Sequence, residues 1–177
     1  MKLTETAVAG AFLINPEPVR DERGYFARIF DGDQLTARGL VGAIAQSSIS
    51  YNAVKGTLRG MHYQIAPHEE TKLVSCFRGA IFDVVVDLRP TSPSYRRWYG
   101  ARLEASTHAA LYVPAGCAHG FITLEDETFV SYAISAPHHP ESARGVRYDD
   151  PAFAIDWPMA PAVISPRDRT YPLFDHP

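Results

Sequence analysis

Lys72-Leu73-Val74-Ser75-Cys76-Phe77-Arg78-Gly79-Ala80-Ile81-Phe82-Asp83-Val84-Val85-Val86-Asp87-Leu88 is two apolar runs separated by a single Arg-Gly break. Runs of this length, rich in Val, Ile and Phe and bounded by turn residues, read as β-strands. The break Phe77-Arg78-Gly79-Ala80 reads as a tight hairpin turn, which makes the strands Lys72 to Arg78 and Ala80 to Leu88 neighbours in one antiparallel sheet. Side chains alternate along a strand, so Asp83, Val85 and Asp87 share one face and Phe82, Val84 and Val86 the other.

Similar runs recur on both sides. Candidate strands are Ala11 to Ile14, Tyr25 to Phe30, Ala43 to Ser50, Thr57 to Gln64, Trp98 to Leu103, Ala109 to Val113, His119 to Thr123 and Thr128 to Ser135. Fourteen prolines and twelve glycines punctuate them, a spacing that favours an all-β sandwich or barrel over alternating strands and helices. Arg20-Asp21-Glu22-Arg23-Gly24 reads as a charged turn, and Asp31 to Arg38 as a short helix capped by Asp31 with Gly39 just past its end. From about residue 140, Gly145-Val146-Arg147-Tyr148-Asp149-Asp150-Pro151 and Asp156-Trp157-Pro158 lose regular period and read as a tail that wraps a finished domain. The polar end Ile164 to Arg169 is compatible with simple solvation. A length of 177 residues predicts one domain over 1–177.

Composition excludes several classes. With 46% hydrophobic and 21% charged residues and a net charge of -3, nothing marks an electrostatic nucleic-acid binder. Met1-Lys2-Leu3-Thr4-Glu5-Thr6 lacks the apolar run of a signal peptide, and no stretch approaches the roughly 18 apolar residues of a membrane span. The expectation is a cytoplasmic protein without membrane contact. Cys76 and Cys117 then read as buried thiols outside the chemistry.

The chemistry-bearing stretch is Gly56-Thr57-Leu58-Arg59-Gly60-Met61-His62-Tyr63-Gln64, followed by Lys72. His62 and Gln64 alternate onto one strand face, and Pro114-Ala115-Gly116-Cys117-Ala118-His119 adds a histidine after a turn. The layout resembles the cupin pattern of His-x-His, a downstream acid and Pro-x-Gly-x-x-His around a metal. Here Gln64 replaces the second histidine and only Glu69 sits at the acid's spacing, a poor first-row metal set, so no metal is expected. A second reading is metal-free acid–base work with His62 as base, Lys72 as cation and a tyrosine as acid. By spacing alone a lone strand histidine such as His62 is more often a hydrogen-bonded core or surface residue than a base.

With Lys72-Leu73-Val74, Asp83-Val84-Val85-Val86-Asp87-Leu88-Arg89, the Pro114 to Phe121 block, Tyr132 and Arg144 to Pro151, the sequence resembles the dTDP-4-dehydrorhamnose 3,5-epimerase family. The blocks keep the family's order from about Arg20 to Asp168. The resemblance implies a cupin-type jelly roll, usually a homodimer, that acts without cofactor or metal on a nucleotide-diphospho-4-keto-6-deoxy sugar. It implies His62 as base, Asp168 as its orienting carboxylate, Lys72 near the C4 oxyanion and Tyr132 as the acid across the ring. Arg59 and Arg23 match diphosphate-binding positions, His119, Gln46 and Asp83 match pocket residues, and Phe26 matches an aromatic near the nucleotide that comes from the partner subunit.

The sequence departs from the pattern at Arg28 (usually glutamate), Ser48 (usually asparagine) and His138 (commonly an aromatic packed on the base), positions expected around the nucleotide. Ala133 replaces a longer polar residue, which leaves epimerisation at C3 alone, at C5 alone or at both open. A ketoisomerase, a metal-dependent cupin oxygenase and a non-catalytic sugar-nucleotide binder are the alternative readings.

Overall fold

The computed structural model describes residues 1–174. Its strands are β1 (Lys2–Glu5), β2 (Phe12–Asn15), β3 (Val19–Asp21), β4 (Gly24–Phe26), β5 (Gln46–Asn52), β6 (Thr57–Gln64) and β7 (Lys72–Arg78), followed by β8 (Ala80–Asp87), β9 (Trp98–Glu104), β10 (Ala110–Val113), β11 (Cys117–Thr123), β12 (Thr128–Ile134), β13 (Ala143–Gly145) and β14 (Val163–Ile164). Two short helices, α1 (Gly32–Thr36) and α2 (Pro166–Arg169), complete the list among the described residues. One sheet runs β1-β2-β10-β7-β12-β5 and the other β13-β6-β11-β8-β9, with β14 parallel to β6. The fold is an antiparallel β-sandwich of the jelly-roll type. Strands β3 and β4 pair only with each other.

The expected hairpin at Phe77–Ala80 is corrected. β7 lies between β10 and β12, whereas β8 lies between β11 and β9, so the two runs belong to different sheets. Arg78-Gly79 is a corner between layers: Gly79 takes φ +77°, and a Cβ there would stand 2.4 Å from the Thr128 hydroxyl. A glycine turn signal reports that the chain bends but not which strands it then pairs with. Two runs this apolar bury more surface face to face than edge to edge.

Val74, Cys76, Ile81, Val85, Leu111, Phe121 and Val130 interdigitate between the sheets. Each such side chain contributes about 1.5–3 kcal/mol by leaving water. Val84 and Val86 face the other way and are covered by Val146, Phe153 and Trp157 of the tail, which explains why β8 is an almost continuous apolar run. On the outer side of the first sheet, Leu35 of α1 packs with Ile14, Leu73 and Tyr112. Asp31 caps α1 by accepting from the Gln34 N–H, as the sequence predicts, but the helix stops at Thr36. β4 ends at Phe26, short of Phe30, and β5 starts at Gln46 and runs on to Asn52. The tail is more regular than its composition suggests because the open edge of β6 gives it hydrogen-bond partners: β13 pairs antiparallel and β14 parallel to that strand. Both cysteines are buried free thiols, pushed up by burial to about 11 for Cys76 and about 12 for Cys117.

Asp87 ends β8 fully buried, receiving Arg89 Nε (2.8 Å) and Nη2 (2.8 Å), the Arg89 N–H and the Ser92 and Ser94 hydroxyls. Arg89 also donates to the Ala9 carbonyl, and Ser94 accepts from the Ala9 N–H, so this knot ties β8 to the N-terminal loop. Burial raises the Asp87 carboxyl, but these donors outweigh it and hold it at about 2, below the ordinary 3.8. A depressed carboxyl stabilises the fold above its unfolded value and loses that contribution as pH falls through its folded value. Between the two values, about 2 kcal/mol of stability should therefore disappear. Asp87→Asn is expected to be less stable at neutral pH and to lack this acid-dependent step, as read by urea denaturation across a pH series.

Candidate active site

The site is built at β6, where Arg59, His62 and Gln64 come from one strand. Gly60 lies against β11 so closely that a Cβ would sit 2.6 Å from Gly120 Cα, and its φ of +141° suits only glycine. This leaves its N–H free to donate to Asp168 Oδ2 at 3.1 Å, while the other oxygen of Asp168 holds His62 Nε2 at 2.8 Å. Asp168 arrives from the far end of the chain: β14 lies along Thr57 and Leu58, and Ser165 then caps α2 by accepting the Asp168 N–H. Asp168 is 5% exposed, so the sequence expectation of a simply solvated tail end is corrected. Burial pushes this carboxyl up, but His62, the Gly60 N–H and Ser165 outweigh it and hold it below the usual range. The Tyr171 ring stands edge-on to His62 at 5.9 Å.

His62 faces a cavity of about 310 Å³ at the mouth of the sandwich. Ser48, Ser50, Lys72 and Tyr132 line it from the first sheet, and Arg59, His62, His119 and Phe121 from the second. The base candidate and the tyrosine thus occupy opposite walls. Tyr132 pairs with Ser48 on β5 and Val74 on β7, and Ser50 lies beside its phenol. Burial pushes that phenol well above its usual range, with Ser50 partly opposing, so it stays protonated at neutral pH. Lys72 Nζ donates to the His62 carbonyl at 3.3 Å and pairs with Glu70 Oε1 at 3.0 Å, with both side chains about nine-tenths buried. His119 Nε2 meets Asp83 Oδ1 at 2.8 Å behind the cavity wall. Burial raises the Asp83 carboxyl, His119 opposes it, and Oδ2 has no hydrogen-bond partner.

The sequence-predicted residues divide into three groups. His62, Lys72, Tyr132, Arg59, His119, Ser48 and His138 line one cavity, with Asp168 and Asp83 behind His62 and His119. Ser48 and His138, expected around the nucleotide, line the same cavity as the acid–base candidates. Gln46 stands at the rim, accepting the His138 N–H at 3.0 Å. Arg23, Phe26 and Arg28 are elsewhere: Arg23 pairs with Asp21, Arg28 with Asp31, and Phe26 is 72% exposed on the β3–β4 hairpin. Of the inward face of β8, Asp83 serves the site and Asp87 does not.

Glu70, Ser50, Arg144, Arg167 and Tyr171 were not singled out from the sequence. Ser50 stands two residues from Ser48 on β5, the spacing that shares a strand face, so alternation would have found it, whereas Glu70 precedes β7 and meets Lys72 only through the fold. Arg144 and Arg167 belong to tail segments whose docking no local pattern announces. The donors of the cupin pattern are committed separately: His62 to Asp168, His119 to Asp83, and the Gln64 amide to the backbone of His68, Pro137 and His139. Imidazole with carboxylate on one wall, a protonated phenol on the other, and a cation lining the same cavity can move a proton off one face of a ligand and onto the other.

Known proteins resemble this chain over nearly its whole length. The family model described as dTDP-4-dehydrorhamnose 3,5-epimerase matches residues 5–176. The dTDP-4-dehydrorhamnose 3,5-epimerase of Sinorhizobium fredii is 42% identical over 97% of this chain and 89% of its own. The dTDP-4-dehydrorhamnose 3-epimerase of Streptomyces niveus is 39% identical over 96% and 82%. The crystal structure of the Bacillus anthracis str. Ames dTDP-4-dehydrorhamnose 3,5-epimerase with TDP and PPi bound superposes with a TM-score of 0.92 at 39% identity, covering 98% of this chain and 99% of that one.

The buried Glu70–Lys72 pair makes a test independent of substrate. Glu70→Gln leaves the ammonium without its counter-charge and is expected to cost about 3 kcal/mol in denaturant unfolding. Glu70→Gln combined with Lys72→Met should recover most of that loss, whereas additive losses would show that the two side chains are not coupled.

Proposed function

The chain belongs to the dTDP-4-dehydrorhamnose 3,5-epimerase family, and from that premise we propose that this cavity inverts C3 and/or C5 of a nucleotide-diphospho-4-keto-6-deoxyhexose. The observation that carries the reading is the pairing of His62, held by Asp168, with a protonated Tyr132 on the opposite wall. The C4 ketone acidifies the hydrogens on C3 and C5. His62 takes one of them, the C–H electron pair moves into an enolate with its charge on the C4 oxygen, and the Lys72 ammonium stabilises that charge. Asp168 holds the imidazole ring and stabilises the imidazolium that forms. Tyr132 then donates its phenolic proton to the opposite face of the same carbon, which inverts it. Proton exchange with solvent returns His62 to the neutral form and Tyr132 to the phenol. No step requires a cofactor. Arg59, Arg144 and Arg167 on the cavity wall suit the diphosphate, because a planar guanidinium donates two parallel N–H groups to phosphate oxygens.

We propose a homodimer as the working form. The β3–β4 hairpin pairs with neither sheet and exposes Val19 (73%) and Phe26 (72%), while the edge strand β5 exposes Ile49 (62%) on the face away from the cavity. A hairpin laid over the neighbouring protomer would bring the partner's Phe26 and the partner's Arg23 to the nucleotide end, and the partner's Arg28 beside them. Among the described residues no helix is long and apolar enough to cross a membrane. The two free thiols and a nucleotide-sugar substrate support a cytoplasmic location.

In deuterated water, the purified protein given such 4-keto sugars should place deuterium at C3, C5 or both with inversion. No incorporation with any nucleotide would sink the assignment, and product stereochemistry separates single from double epimerisation. Tyr132→Phe should lose inversion by about 10²–10⁴-fold while His62 still exchanges deuterium with retention. His62→Ala should lose both. Sedimentation velocity should report a dimer, weakened by Phe26→Ala together with a raised KM; a fully active monomer would refute the hairpin exchange.

A further inference from the structure

Gln64, the amide at the position of a cupin ligand, is 2% exposed and fastens two loops together. Its Nε2 donates to the carbonyls of His68 (2.8 Å) and Pro137 (3.2 Å), and its Oε1 accepts the His139 N–H (2.6 Å). The segments before β7 and after β12 are thereby held backbone to backbone, and each presents a histidine at the junction. The His68 and His139 rings stack with centroids 3.5 Å apart and planes 10° from parallel. Glu141 turns one oxygen, Oε1, toward both: it lies 3.1 Å from His139 Nδ1 and 3.9 Å from His68 Nδ1. Both rings are about one-third exposed, and the three donor atoms lie within 4.8 Å of one another. Neither ring lines the epimerase cavity, so the reaction gives this cluster no role.

We propose that His68, His139 and Glu141 form a binding site for a divalent first-row transition ion of the zinc, nickel or copper class. Two neutral imidazoles and a carboxylate suit these ions better than magnesium or calcium, which prefer an all-oxygen shell. Bonds of about 2.0–2.2 Å to one ion put neighbouring donor atoms about 3–3.5 Å apart. The His139–Glu141 contact already has that separation, and His68 closes the remainder by a small side-chain movement. Parallel rings aim their lone pairs in parallel, so ligation turns one ring out of the stack. The torsion about the bond to an imidazole is soft, and the solvent side of the cluster is open. The Ser142 hydroxyl, 2.9 Å from His68 Nδ1, is placed to bond a water in the fourth position.

The location gives the ion a consequence. His138 precedes His139 and lines the cavity, as do Ala143 and Arg144 just after Ser142, while the segment of His68 leads into Glu70 and Lys72. An ion here would stiffen the rim through which a ligand enters. The proposal stands apart from the epimerase reading and fails or survives separately from it.

The test is calorimetric titration of zinc chloride into the chelator-treated, dialysed full-length protein near neutral pH. One ion per chain is expected, with affinity reduced more than about tenfold in His68→Ala and in His139→Ala. Glu141→Gln, which preserves shape and removes charge, should also weaken binding, and His62→Ala should not. Thermal unfolding without metal establishes that each variant is folded. With copper(II), the electron paramagnetic resonance spectrum should show coupling to two imidazole nitrogens. Absence of saturable zinc binding, or binding that is lost in His62→Ala and kept in the His68→Ala/His139→Ala double variant, overturns the site.

Discussion

One carboxylate joins the end of this chain to its reactive strand. Asp168 accepts from the Gly60 backbone with one oxygen and from His62 with the other, so the same side chain closes the fold and orients the imidazole. Its depressed carboxyl keeps the negative charge in place while burial removes competing water. The parallel pairing of Val163 and Ile164 with β6, and the Ser165 cap, exist in effect to hold that group under His62. Proline-rich segments that lack a period of their own become ordered because β6 offers them an edge and the outer faces of Val84 and Val86 offer them an apolar surface.

The same economy governs the polar groups inside the sandwich. Asp83 and Asp87 lie on one face of β8, as alternation dictates, yet their surroundings separate them. Asp87 meets an arginine and two hydroxyls and becomes a structural knot with its carboxyl pulled down. Asp83 meets one histidine, has an oxygen without a partner, and is pushed up by burial. Identical side chains on one strand thus differ in charge behaviour because β11 supplies one with a histidine and the loop after β8 supplies the other with an arginine and two hydroxyls. Gln64 likewise resembles a ligand in sequence and acts as a fastener in space, and the histidines it brings together are ones that no linear motif connects.

Strand positions, the Asp31 cap and the inward face of β8 were legible because each depends on residues close in sequence. The residues lining the cavity from β6, β7, β11 and β12 were legible through the resemblance of ordered blocks. What could not be read locally was partnership. Gly79 signals a bend, but only the packing of both apolar runs across the sandwich makes it a corner between sheets. Arg23 and Phe26 match family positions and Arg28 departs from one, yet none of the three lines this chain's own cavity.

By itself the sequence determined the all-β class, the strand faces and the kinds of side chain available for proton transfer, since alternation and residue chemistry are local properties. Only the tertiary structure decided which carboxylate serves which histidine, which sheet each strand joins, and that Tyr132 and His62 stand on opposite walls. The physical reason is that burial and hydrogen-bond satisfaction are summed over the whole molecule. A donor finds its acceptor wherever packing leaves one within reach, however distant in the chain.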